Sequence, residues 1–218
     1  MNPRISKQEV RQAIRTKLKA LSQAEQRQAS DSARGLLERQ PLWNSASRIL
    51  FYAPLAEELD VWPLFEDAVR AGKEAYLPRF FADADEKPLK RFQGRPEAAD
   101  TPLKRGVNDR GGYGYVACAV KDLTKQLKKG RFGIREPIES CPEIALNRLD
   151  FVLVPGIAFD LQGRRLGRGK GYYDRLLAEV RGKTCGVAFD EQIVEQLPVE
   201  PHDIHVNCIL TPTRWIEL

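Results

Sequence analysis

No apolar run in the chain approaches the roughly 18 residues that a membrane-crossing helix requires, so a soluble protein with no membrane partner is expected. The amino-terminal stretch MNPRISKQEVRQAIRTKLKAL mixes charges with apolar residues and lacks the apolar centre of a secretory signal, which makes the cytoplasm the expected compartment. Cysteine is sparse: Cys118, Cys141, Cys185 and Cys208 are widely spaced and form no Cys-x-x-Cys pair. Neither a zinc knuckle nor a redox dithiol fits that spacing, and buried free thiols are expected. The two histidines, His202 and His205, lie three apart on a Pro-flanked loop without a third nitrogen or sulfur ligand at matching spacing, which is weak support for zinc. No Ser-His-Asp arrangement is apparent either. Finally, no linker cuts the 218 residues, so one domain spanning 1–218 is expected.

With 42% apolar and 30% charged residues, the chain can bury a substantial core. Its net charge of +5 is unevenly spread: from Asp83 to Gly130 there are eleven Lys or Arg against seven Asp or Glu. Such a segment can attract a polyanion, but with signs this mixed it reads first as a solvated face, and no nucleic-acid partner is expected.

The most informative stretch is Asp150 to Leu177, DFVLVPGIAFDLQGRRLGRGKGYYDRLL. Phe151 to Phe159 is nearly unbroken apolar sequence rich in Val and Ile, as in a strand covered on both faces within a parallel sheet. The following loop interleaves Gly163, Gly167, Gly169 and Gly171 with Arg164, Arg165, Arg168 and Lys170, and then a helical pattern resumes at Tyr172. Glycines at a helix start, with cations around them, suit a phosphate chain, because backbone N–H groups and the helix dipole point at the anion. Two familiar phosphate loops do not match. A Walker A loop needs Gly where Arg164 stands and Ser or Thr where Gly171 stands. A dinucleotide fingerprint starting at Gly167 needs Gly where Tyr172 stands. A glycine-rich surface turn with solvated arginines is the other reading of these residues.

Along the chain, Ser6 to Leu21 predicts a helix with Ser6 as cap and Glu9 three residues on, and Ser22 to Arg39 a second helix ending before Pro41. Lys7 and Arg11 share one helix face near the first amino terminus, so both can reach one phosphate chain or can simply be solvated. Arg48 to Leu55 predicts a strand, the following segment a helix stopped at Gly72, and Ala75 to Phe80 a second strand. This βαβ order predicts a parallel sheet whose ligands bind beyond the carboxyl ends of its strands. Glu58 occupies such a place, or serves as a helix-start carboxylate. Residues 82–114 lack periodicity and predict a long basic loop. Tyr115 to Val120 predicts a strand, Asp122 to Lys129 a basic helical turn, the stretch after the glycine loop a helix to about Arg181, TCGVAF a strand, Asp190 to Gln196 a short helix, and Cys208 to Thr211 the last strand. The expected fold class is α/β: a single-domain three-layer α/β/α sandwich with a mainly parallel sheet. That architecture also hosts sugar-phosphate isomerases and acyl-CoA transferases, and the net charge alone would allow a non-enzymatic RNA-binding protein.

The wording VPGIAFD followed by RLGRGKGYYD resembles the signature of the 5-formyltetrahydrofolate cyclo-ligase family, also called 5,10-methenyltetrahydrofolate synthetases. The resemblance extends over most of the chain, through Lys7 and Arg11, the LPR at Leu77 to Arg79, GRFGIREP at Gly130 to Pro137 and LPVEPHD at Leu197 to Asp203. It implies ATP- and Mg²⁺-dependent conversion of 5-formyltetrahydrofolate, polyglutamated or not, to 5,10-methenyltetrahydrofolate, through phosphorylation of the formyl oxygen and with release of ADP and phosphate. By resemblance Lys7, Arg11, Arg165, Arg168 and Lys170 clamp the ATP phosphates. The backbone from Leu166 through Gly167 and Gly169 to Gly171 wraps them, with Tyr172 and Tyr173 in the same nucleotide-binding set. Folate is met by Ala53, Glu58, Arg168, Gly169, Lys170, Gly171 and Tyr172, with Glu58 at the pterin ring. Lys170, Arg168 and Tyr172 are the expected catalytic groups, Asp174 and Asp203 the expected Mg²⁺ ligands, and a monomer the expected state. The chain departs from the family in its longer 82–114 segment and in Asn207, where the family commonly carries an acidic residue.

Overall fold

A computed structural model describes residues 6–82, 113–130, 133–198 and 204–218. In chain order the elements are α1 (Lys7–Lys19), α2 (Gln23–Glu38), α3 (Pro41–Ser45), β1 (Arg48–Leu50), α4 (Trp62–Arg70), β2 (Glu74–Ala82) and β3 (Tyr113–Ala119). There follow β4 (Leu127–Lys129), β5 (Arg135–Pro137), β6 (Glu143–Ile144), β7 (Phe151–Pro155), β8 (Ala158–Asp160), β9 (Arg165–Leu166) and α5 (Tyr172–Glu179). The chain ends with β10 (Lys183–Val187), β11 (Ile193–Val194), β12 (Cys208–Leu210) and β13 (Trp215–Glu217).

Both long amino-terminal helices begin with a reciprocal capping box. Ser6 Oγ accepts from Glu9 N while Glu9 Oε2 accepts from Ser6 N at 2.7 Å, and Ser22 and Glu25 repeat the arrangement. Each box satisfies amide groups that the first helical turn cannot. In α1 the spacing of Val10, Ile14 and Leu18 buries one stripe and leaves Lys7 and Arg11 beside it.

The main sheet runs β13-β12-β10-β7-β1-β2-β3-β6. Its centre, from β12 to β2, is parallel, whereas β13, β3 and β6 pair antiparallel at the margins. Alternate residues face two separate cores. Phe51, Phe151, Leu153, Cys185 and Leu210 pack under α1, α2 and α4, while Leu50, Val152, Val154 and Ile209 pack under Leu176 and Leu177 of α5. Two covered faces make the three-layer α/β/α arrangement, and they explain the continuous apolar sequence of the central strands. All four cysteines are buried and unbridged. Among the described residues no helix is long and apolar enough to cross a membrane.

Several boundaries differ from expectation. The apolar run from Phe151 to Phe159 is two strands: β7 ends at Pro155, and after Gly156 the chain enters a small sheet ordered β11-β8-β9. Its second half stays apolar because Phe159 is fully buried too, so hydrophobicity carries no mark of the break. Pro41, read as a helix stop, also starts α3, since its missing N–H costs nothing at a first helical position. Of Asp122 to Lys129, only the part up to Gln126 is a turn, with Gln126 N donating to Asp122 O at 3.0 Å. Asp122 Oδ1 accepts from Thr124 N and Lys125 N to make a turn, and Leu127–Lys129 then pairs with β5. The 190–196 helix shrinks to a 3₁₀ turn, Asp190–Gln192, before β11. β1 is shorter than read, although Phe51 N still donates to Tyr76 O. β13, α3 and the β4–β5 ribbon carry no strong pattern and were not anticipated. The ends of the supposed 82–114 loop are strand, because β2 reaches Ala82 and β3 starts at Tyr113; most of the basic segment lies outside the described residues.

The close approach of β10 to the small sheet yields a stability prediction. A methyl group at Gly186 would lie 2.5 Å from Cε1 of the Phe159 ring. Gly186→Ala is therefore expected to cost about 1–3 kcal/mol in urea unfolding, the usual range for overpacking a filled core. In a Phe159→Leu background the same substitution should cost less; equal penalties would contradict this packing.

Candidate active site

A cavity of about 920 Å³ opens above the carboxyl ends of β1 and β7, where parallel α/β sheets place their ligands. It lies near the top of the common range of roughly 300–1,000 Å³ for small-molecule sites. Ser6, Lys7, Gln8 and Arg11 line it from the start of α1, Tyr52, Ala53, Leu55 and Glu58 from the segment after β1, and Arg165 to Asp174 from the glycine-rich loop and α5.

The glycine-rich loop leaves β9 and turns into α5 with Gly169 at φ 90° and Gly171 at φ 63°. Gly171 is the residue before the helix, and a left-handed conformation there is one that side-chain-bearing residues rarely adopt. Two arginines hold the loop. Arg11 Nε donates to Gly167 O at 3.0 Å, across 156 residues of sequence. Arg165, whose side chain is only 4% exposed, donates from Nη1 to Pro155 O at 3.3 Å and from Nη2 to Asp174 Oδ1 at 2.6 Å. It thereby ties the end of β7 to the first turn of α5. Its buried Nε has no hydrogen-bond partner among the described residues. Arg165 and Asp174, expected as a phosphate clamp and a metal ligand, therefore form an ion pair with each other in the structure.

Glu58 hangs from a tight turn, with its own N–H on Leu55 O and its Oε2 accepting from Leu55 N at 3.0 Å. Its Oε1 meets Arg168 Nη2 at 3.2 Å, so the loop expected to hold phosphates and the carboxylate expected to hold pterin are already in contact. Burial raises the pKa of Glu58, and the Leu55 N–H and the Arg168 charge only partly oppose that shift.

Tyr172 and Tyr173 divide their duties. Tyr172 packs edge to face with Phe80 and Tyr115, at centroid distances of 5.6 and 5.7 Å, on the cavity wall. Tyr173 packs against both cores and lies under the Arg165 guanidinium, and burial drives its pKa well above the ordinary phenol value. Lys7, Ala53, Leu166 and Lys170 also line the cavity.

Asp203 falls outside the described residues, as does His202. Asn207 lies at the opposite edge of the sheet. Its Oδ1 accepts from Thr184 N at 2.9 Å and so joins the amino ends of β10 and β12. Pro78, Tyr115, Ile134 and Glu136 line the cavity without having been anticipated. GRFGIREP was the available signal for the last two, but nothing in its composition says which residues turn inward.

The chain belongs to the 5-formyltetrahydrofolate cyclo-ligase family, whose model matches residues 3–212. It is 29% identical to the 5-formyltetrahydrofolate cyclo-ligase of Mycolicibacterium smegmatis, covering 99% of this chain and 98% of that one. To the enzyme of the same name from Escherichia coli K12 it is 30% identical, with 92% and 97% covered. The solved structure of Aquifex aeolicus 5,10-methenyltetrahydrofolate synthetase superimposes with a TM-score of 0.75 at 32% identity, covering 97% of this chain and 92% of that chain. The isomerase, acyl-CoA transferase and non-enzymatic readings of the sequence fall away.

The Glu58–Arg168 contact sets a pH prediction. A carboxylate whose folded pKa is raised favours the protonated form, so its contribution to stability declines as pH rises from the ordinary value of 4.5 through the folded value. In carbon-detected NMR, Glu58 should titrate above 4.5, and Arg168→Gln should move it higher still. Glu58→Gln should remove that part of the stability decline. An unshifted titration in the Arg168→Gln protein would contradict the pairing.

Proposed function

We propose that the protein uses ATP and Mg²⁺ to convert 5-formyltetrahydrofolate into 5,10-methenyltetrahydrofolate, releasing ADP and phosphate. The observation that carries this reading is that one cavity brings together a glycine loop ringed by cations and a buried carboxylate loop. The first suits a polyphosphate and the second a donor-rich heterocycle.

The chemistry asks for these groups. An N-formyl oxygen is a poor leaving group. Transfer of the γ-phosphoryl group to it gives an imidate phosphate, which N10 attacks to close the ring before phosphate departs and the N10 proton is lost. Phosphoryl transfer is accelerated mainly by positioning and by neutralising charge on the equatorial oxygens, so it needs cations and backbone N–H groups rather than a protein nucleophile. Lys7, Arg11, Arg168 and Lys170 supply cations at the cavity. The partnerless buried Nε of Arg165 is the kind of donor an anionic ligand satisfies. The backbone from Leu166 to Gly171 wraps the phosphates, and α5 adds its amino terminus. Ala53, Glu58 and Tyr172 receive the folate, whereas Tyr173 belongs more to the packing beneath it.

Asp174 would hold Mg²⁺ together with Asp203; as hard oxygen donors, one or two carboxylates beside phosphate oxygens and water fit this ion. Among the described residues no group of three or more His, Cys, Asp or Glu could hold a metal, and Asp203 lies outside them. Bound there, Mg²⁺ would supply positive charge to the phosphate oxygens. The Asp174–Arg165 pair keeps the carboxylate at the helix start, beside the loop.

Methenyltetrahydrofolate absorbance is expected to rise only when 5-formyltetrahydrofolate, ATP and Mg²⁺ are all present. Lys170→Ala should lower the rate by on the order of 10² to 10³, the effect of removing one preorganised donor at a developing charge. Asp174→Asn and Asp203→Asn should each raise the Mg²⁺ concentration for half-maximal rate, with a double variant less than additive. Turnover without nucleotide, or an unaltered Lys170→Ala enzyme, would overturn the assignment.

A further inference from the structure

Two adjacent arginines, Arg164 and Arg165, precede the glycine-rich loop, and their sequence does not say which of them enters the site. Successive side chains of a strand point to opposite faces, so a slip of one residue in the pairing of β9 would exchange them. In the structure Arg165 lines the cavity, while Arg164 lies against Asp160 at the end of β8, with its Nη1 3.5 Å from Asp160 Oδ2. Each arginine therefore has its own carboxylate, Asp160 for the first and Asp174 for the second.

Asp160 is a fully buried acid that the phosphoryl-transfer scheme leaves unused. Its Oδ1 accepts from Gln162 N at 3.0 Å and from Arg164 N at 3.1 Å, and its Oδ2 accepts from Leu197 N at 2.9 Å. Arg164 Nε and Nη1 are buried without a hydrogen-bond partner among the described residues, so the guanidinium is tied to Asp160 by charge. None of these contacts involves the Arg165 side chain. The turn also closes through its backbone, with Asp160 N donating to Arg164 O at 3.1 Å and Gly163 N to Asp160 O at 3.0 Å. Beyond it β9 pairs with β8 in the register Phe159 to Arg165 and Ala158 to Leu166.

A short hairpin loop closes on such backbone bonds without a buried acid. The carboxylate adds a choice of register, because it holds Arg164 by both its amide and its charge and leaves Arg165 to the other face. Asparagine has the same size but not the same chemistry: its NH₂ would face either Leu197 N or the two turn amides, and it carries no charge for Arg164. We propose that Asp160 is a positioning residue that fixes the register of β9, so that Arg165 and not Arg164 is delivered to the phosphate side of the cavity. The proposal rests on the reading of the glycine-rich loop as a phosphate site. A slipped strand would also displace Gly167, whose carbonyl oxygen holds Arg11.

The test follows arginine side chains by ¹⁵N NMR in the ligand-free protein, and binding of ATP and of 5-formyltetrahydrofolate by calorimetry. In the wild-type protein the Arg165 guanidinium N–H signals should exchange slowly, as suits an ion-paired side chain only 4% exposed. Asp160→Asn should move or broaden those signals although residue 160 does not touch them. It should also weaken ATP binding by about 10- to 100-fold, the loss of one hydrogen bond to a charged group, and 5-formyltetrahydrofolate binding by less. Should Asp160→Asn not fold, Arg164→Gln decides, since it removes only the ion pair of an 18% exposed side chain. It should have the same effects to a smaller extent, with Arg164→Lys, which keeps the charge, closer to wild type. Unmoved Arg165 signals, equal losses for the two ligands, or an Arg164→Lys protein no better than Arg164→Gln would overturn the assignment and leave Asp160 as a support of the turn. A wild-type protein that shows the slow Arg165 signals but binds no ATP would overturn the phosphate reading instead, and the signals of the variants would still decide the register.

Discussion

The Arg165–Asp174 ion pair is the contact on which the geometry of the site depends. It spans the glycine-rich loop from its first residue to the first turn of α5, and through Pro155 O it fixes both ends to the central strand. A loop containing Gly167, Gly169 and Gly171 would otherwise be among the most conformationally free segments of the chain, and ordering it on ligand binding would cost affinity. With both ends tied and Arg11 on Gly167 O, the backbone curve exists in the absence of any ligand. Breaking such a pair from one side is costly, because the nearly buried guanidinium would keep its charge and lose its counterion.

The cavity lining divides along this staple. The α1 and glycine-loop side of the cavity carries Lys7, Arg11, Arg168 and Lys170, whereas Glu58, Glu136, Tyr115 and Pro78 bring acceptors and flat apolar surface. Arg168 reaches from the first group to the second, where Glu58 meets it at 3.2 Å. On the proposed function, phosphate oxygens would compete with Glu58 for that guanidinium, and ring donors would compete with the guanidinium for Glu58. Holding Glu58 in a buried place where its ionised form is disfavoured is a cost in stability, of the sort often found at functional sites.

Much of this was legible in the residues. The βαβ order and the two-faced apolar strands of β1, β7 and β10 announced a parallel sheet, and the Ser6–Glu9 and Ser22–Glu25 spacings announced both helix starts. Glycines alternating with cations before Tyr172 announced a loop leading into a helix, and a long resemblance to one family pointed to Glu58, which lines the same cavity. What stayed hidden depends on tertiary contacts. Nothing local says that β7 breaks at Gly156, since Phe159 is as apolar as the strand before it. The composition of the loop does not reveal that Arg165 turns inward to Asp174 while Arg168 turns across to Glu58. Glu136 reads as an ordinary charged residue until β5 is seen lying against the uncovered end of β2.

The central claim is that the cavity delivers a phosphoryl group to the formyl oxygen, so that this oxygen leaves as part of inorganic phosphate. The most direct measurement is turnover of 5-formyltetrahydrofolate labelled with ¹⁸O in the formyl group, with mass analysis of the phosphate released. The account predicts one ¹⁸O atom per phosphate formed. Unlabelled phosphate, with the heavy oxygen recovered in water, would contradict it.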